Sequence, residues 1–281
     1  MGLTFFQTVG FTKNYIVLVD QPYYAEIKAF VSRLIQGAKY SLHDITTWNP
    51  KLKNQFILVE KSTGRRLPLQ IESSEPFFFF DIINAFEDGC GDETKIVMDI
   101  NCYPTAQVLR DTLMLHNLRE GRAEPPESTP RVHRFIIPLT SSEDGNEADP
   151  ITLKPTVLAD VSIERPTINR KYIGKPYQFY YGTSLFFQNS VPAALFKVDT
   201  ITKELKTWKA EEYVVPGHPI FIPKPGAADE DDGILMAVMT DARKQGKSYI
   251  VFLDGKTFEE VSRAEFDGFL PVVLYGLFEP K

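Results

Sequence analysis

The chain has 281 residues, 43% of them hydrophobic and 24% charged, with 21 Phe, 20 Pro, two Cys and a formal net charge of −6. Such a balance belongs to a globular protein with a sizeable core and gives no basic patch for nucleic acid or anionic lipid. Cys90 and Cys102 form no CxxC pair, which argues against a disulfide framework and a zinc knuckle.

No uninterrupted apolar run approaches the roughly 18 residues of a spanning helix. Residues 1–20 lack the basic start, apolar core and small-residue cleavage site of a signal peptide, and Phe6 stands where a myristoylation pattern wants Ser or Thr. A soluble cytoplasmic protein is the default expectation.

In chain order, the first periodic segment is Ile27, Phe30, Val31, Leu34 and Ile35, an i, i+3, i+4, i+7, i+8 stripe between Pro22 and Gly37 that predicts an amphipathic helix. Gln55–Glu60 then leads through a Thr/Gly turn to Leu67–Ile71, a predicted hairpin. A second helix is expected from about Thr105 to Leu118, with Pro104 at its start. Residues 120–130, 141–150 and 224–233 read as loops. Two more hairpins follow, Ala194–Asp199 with Leu205–Trp208 and Tyr249–Asp254 with Glu260–Phe266. Each begins with an apolar strand ending in an acid, and hairpins recurring at about 40–50 residues predict a β-propeller or, alternatively, a β-sandwich. The run Asp229-Glu230-Asp231-Asp232-Gly233 lacks the ligand spacing of an EF-hand and reads as a solvated turn.

The segment Glu75-Pro76-Phe77-Phe78-Phe79-Phe80-Asp81-Ile82-Ile83-Asn84-Ala85-Phe86-Glu87 resembles a box of the carotenoid cleavage oxygenase and retinoid isomerohydrolase family. Other boxes follow in the family's order. They are Thr8–Val17, Asp99-Ile100-Asn101, Glu164–Asn169 with Gly174–Tyr177 and Tyr181-Gly182, Pro219–Gly226 with Glu230–Gly233, and Pro271–Phe278. The resemblance covers the whole chain and implies an all-β fold: a seven-bladed β-propeller, incomplete here, with short helical insertions. Residues 1–281 would form a single domain matching its C-terminal portion.

Family members hold Fe(II) with four histidines, and imidazole suits a reducible, borderline metal. The resemblance places three of those ligand positions at Gln7, Asp81 and Tyr275, none a histidine, and the fourth outside this chain. No cofactor is therefore expected. The existing histidines, His43, His116, His133 and His218, share no metal-ligand spacing. Glu164 retains a family position that orients a ligand histidine by a hydrogen bond, and His218 replaces a second such glutamate. Glu164 could pair with His218 or Tyr275, or sit in an otherwise satisfied polar core.

The family's substrate tunnel implies lining roles for Phe80, Tyr103 and Leu274, where aromatic faces would hold a polyene; ordinary core packing is the alternative. The Ile27–Ile35 helix falls where relatives dip an apolar patch into one membrane leaflet, and a packed or interface helix fits the same stripe. Three functions remain open. One is an iron-free binder of a carotenoid, retinoid or similar apolar polyene; another is a carotenoid cleavage dioxygenase completed by a partner chain. The third is a structural or interaction protein without a ligand. An incomplete propeller also exposes strand edges, so a partner chain or an oligomer is expected to cover them.

Overall fold

The computed structural model describes residues 2–4, 7–37, 42–110, 130–139, 150–161, 163–184, 193–241, 247–268, 270–271 and 273–279. Their regular structure is almost wholly β-strand, and the chain divides into two compact units, Met1–Val157 and Leu158–Lys281.

Three hairpin turns share one construction. In the first, Glu60 accepts through its carbonyl from Gly64 N–H (2.8 Å), and Glu60 N–H donates to Arg65 O (2.9 Å). Asp199 repeats it with Lys203 and Glu204, and Asp254 with Phe258 and Glu259, all within 2.9–3.0 Å. The fourth residue after each acid, Gly64, Lys203 or Phe258, adopts a left-handed φ of 66–70°. In the last two turns the aspartate Oδ1 also accepts from the N–H groups two and three residues on, at 2.7–2.9 Å. The acid at the strand end thus supplies hydrogen bonds that a tight turn leaves unmade.

Both later hairpins form as predicted, Ala194–Asp199 with Leu205–Lys209 and Tyr249–Asp254 with Glu260–Glu265. The earlier one is partial. Leu67 N–H reaches Leu58 O and Val59 bridges Arg66, but the next strand is only Ile71–Ser73. Pro68 has no N–H to give the ladder, whereas on its other edge Gln55–Glu60 pairs along its whole length with Tyr15–Asp20.

In the first unit a sheet runs Ile151–Leu153, Ile71–Ser73, Gln55–Glu60, Tyr15–Asp20, Gly10–Phe11. Another places Phe78–Asp88 beside Lys95–Tyr103 and that strand beside Arg131–Pro138, all antiparallel. Between them lies a core of Val17, Val19, Phe56, Leu58, Phe77, Phe79, Met98 and Phe135, each large apolar side chain contributing about 1.5–3 kcal/mol by leaving water. The second unit has two antiparallel sheets. Glu164–Thr167, Phe179–Thr183, Ala194–Asp199 and Leu205–Lys209 are neighbours in chain order. Val214–Pro216, Gly233–Asp241, Tyr249–Asp254 and Glu260–Glu265 form the other, with Ile220–Pro223 also on Gly233–Asp241. Sheets of sequential antiparallel strands are the blades of a propeller. The glycine in Tyr181-Gly182 is required by close approach: a Cβ there would stand 2.2 Å from Ile163 Cγ2 and 2.8 Å from Glu164 O.

The Ile27–Ile35 helix forms as predicted, and none of its residues is buried. Of the second predicted helix, Gln107–Arg110 is helical; the remainder lies outside the described residues, as do nearly all of the two loops at 120–130 and 141–150. The acidic run is not a solvated turn. Glu230, Asp231 and Asp232 are half-buried, and the carboxylates of the first two serve the neighbouring sheet. Glu230 accepts from Gln178 and Phe179 N–H (2.8 Å each), and Asp231 meets Lys197 Nζ at 2.6 Å.

Candidate functional site

The Phe-rich strand is held by side chains that imitate a neighbouring strand. Asn54 accepts from Phe77 N–H and donates to Phe77 O, both at 2.9 Å. Gln21 does the same for Phe79, at 3.0 and 3.3 Å. Thr8 Oγ1 then accepts from Ile82 N–H (2.9 Å) and donates to Phe80 O (3.3 Å). These three residues satisfy buried backbone groups that would otherwise be costly. Thr8 bonds to both chain neighbours of Asp81, so the Gln7-Thr8 segment lies alongside Asp81.

Asp81 itself sits at a break in the ladder. Phe79 pairs with Cys102 and Ile82 with Ile100, so Phe80 and Asp81 together oppose Asn101; a second irregularity follows before Asn84. Two residues against one is a β-bulge, which re-aims side chains. The Asp81 side chain is buried, whereas Gln7 is exposed.

Alternation along the strand separates two aromatic groups. Phe77 and Phe79 join the core, with Phe77 stacked 5.3 Å from Phe135. Phe78 and Phe80 contact each other edge-on at 4.8 Å, and Phe80 meets Tyr103 at 5.7 Å in the same geometry. Tyr23 adds a further edge contact to Phe78 at 5.5 Å. Two of the residues expected to line a tunnel, Phe80 and Tyr103, are therefore together, Phe80 half-buried and Tyr103 buried. Leu274, in the second unit, is 58% exposed.

The other expected site residues lie in the second unit. Glu164 is buried at the start of the Glu164–Thr167 strand. His218 is bonded through its N–H to Val273 O (2.9 Å), which brings the closing Val273–Phe278 segment beside it. Its ring lies 5.7 Å from the Tyr275 ring, and Tyr275 is 55% exposed. Burial, aided by the Arg165 charge, pushes the imidazole down to about 4 against an opposing hydrogen bond to the Pro166 backbone. His218 is thus neutral at neutral pH, with Nδ1 buried and unpartnered. Among the described residues no three His, Cys, Asp or Glu side chains stand close enough to hold a metal ion. His116 lies outside the described residues, as does the side chain of His43.

Sequence reasoning missed Thr8, Gln21 and Asn54 as positioning residues. Their only signal is that each is a polar side chain near an apolar strand end. It also missed the partner of the Asn84-Ala85-Phe86-Glu87 box. Glu87 accepts from Thr12 Oγ1 (2.6 Å), Asn14 N–H (2.7 Å) and Asn14 Nδ2 (2.8 Å), tying that box to the Thr8–Val17 box.

The architecture and boxes define a carotenoid-oxygenase type of β-propeller. Residues 2–280 match the family model described as retinal pigment epithelial membrane protein, and the chain belongs to that family of carotenoid oxygenases. It is 32% identical over 312 aligned positions to the mitochondrial carotenoid-cleaving dioxygenase of Homo sapiens, covering 99% of this chain and 51% of that protein. Against the β,β-carotene 15,15'-dioxygenase of Mus musculus the identity is 27%, covering 99% and 50%. A variant of the Synechocystis apocarotenoid oxygenase superposes with a TM-score of 0.78 at 22% identity, covering all of this chain and 54% of that one. The cobalt-substituted form of that oxygenase gives 0.76 at 21%. The chain spans about half the length of the curated relatives it matches. Among the described residues no helix is long and apolar enough to cross a membrane.

Proposed function

We propose that this chain is a carotenoid-oxygenase-like binding protein that holds a carotenoid, retinoid or similar apolar polyene without cleaving it, its iron centre having been lost. One feature supports the reading: the positions that the family resemblance assigns to iron ligands within the chain, Gln7, Asp81 and Tyr275, carry an amide, a carboxylate and a phenol. An amide oxygen is a weak ligand and a phenolate favours Fe(III), so this donor set does not fit an Fe(II) centre built for imidazole. The edge-on cluster of Phe78, Phe80 and Tyr103 supports retention of the polyene, since aromatic faces and edges pack along a conjugated chain without any metal.

Purification from carotenoid-producing cells tests the proposal. Polyene absorption in the visible spectrum without stoichiometric iron is the expected result, and Phe80→Ala should diminish the absorption. Stoichiometric iron together with cleaved products would instead establish an oxygenase, and neither signal would leave a structural or interaction protein.

A second reading has its own support: an active dioxygenase completed by a partner chain. The chain spans about half the length of its relatives, and Leu274, Tyr275, Leu277 and Phe278 are 39–61% exposed in one apolar run. A partner or oligomer covering that run would bury it, and a monodisperse monomer in solution would count against this arrangement. Peripheral contact of an otherwise cytoplasmic protein with a membrane is supported by the Ile27–Ile35 helix, where Leu34 is 61% and Ile35 81% exposed.

A further inference from the structure

We draw no further inference here: the strongest candidate, the exposed apolar patch of Leu274, Tyr275, Leu277 and Phe278 near the end of the second unit, carries nothing because nothing in the structure shows what covers it.

Discussion

Each unit ties one sheet to neighbouring chain with a glutamate, yet the two carboxylates answer oppositely. Glu87, in the first unit, and Glu230, in the second, each accept from backbone N–H groups at 2.7–2.8 Å. Burial pushes both upward in pKa. At Glu87 it is overcome by hydrogen bonds from Thr12 and Asn14 and by the Lys13 charge, which hold the carboxyl below the usual glutamate range. At Glu230 burial wins, helped by Asp231 and Asp199, and the carboxyl is raised. The same device is therefore used once as a half-buried anchor with a cation nearby and once inside a dense acidic cluster. That cluster is tolerable because Lys197 sits within it. Its Nζ bonds Asp231 and Gly255 O at 2.6 Å each, and it lies 4.3 Å from the centroid of the Phe179 ring.

The contrast can be broken by experiment. The largest effect is expected at Lys197, whose side chain is 5% exposed. Lys197→Met strands Asp231 and should cost about 3–5 kcal/mol, the usual penalty for removing one partner of a buried pair. Denaturant unfolding followed at Trp208, in a Trp48→Phe background, reads this loss. A cost near zero would mean that the acidic cluster is solvated after all. Asn54→Ala should come next, at about 2–4 kcal/mol, because it leaves the buried N–H and C=O of Phe77 unpaired. Unfolding followed at Trp48 in a Trp208→Phe background checks it.

The glutamates themselves predict opposite pH slopes. Glu87 has a folded pKa below its unfolded one, so its stabilisation is present above about pH 4.3 and is lost as pH falls through the folded value. Glu230 has a raised folded pKa, so its contribution is full below about pH 4.3 and is lost as pH rises through the folded value. The stability difference between the parent chain and Glu87→Gln should therefore shrink on acidification, while that between the parent and Glu230→Gln should shift in favour of the parent. Urea midpoints across the acid range measure both, and slopes of the same sign would sink the comparison. The smallest effect is expected for Leu34→Ser with Ile35→Ser on the exposed helix, within about 0.5 kcal/mol of the parent chain. Membrane contact there would appear instead as weaker co-sedimentation with lipid vesicles.

Much of this was legible in the sequence. Asp199 and Asp254 announced their turns because an acid at a strand end bonds N–H groups two and three residues away. The 3.6-residue stripe from Ile27 to Ile35 announced its helix, and the ordered boxes announced the fold. The hairpin expected at Leu67–Ile71 was only partly right, because Pro68 interrupts the ladder and regular pairing resumes only at Ile71–Ser73. The acidic run was misread because nothing local to Asp229–Asp232 reveals that Lys197 and the N–H groups of Gln178 and Phe179 will meet it.

The sequence by itself determined the short-range grammar and the chemical identity of every side chain, including the absence of histidine at Gln7, Asp81 and Tyr275. Those are properties of single positions or of windows a few residues long. Only the tertiary structure decided that Thr8, Gln21 and Asn54 hold the Phe-rich strand, and that Phe80 and Asp81 share a bulge opposite Asn101. Each depends on backbone groups meeting side chains more than twenty residues away or on an irregular strand register, and periodicity carries no record of either.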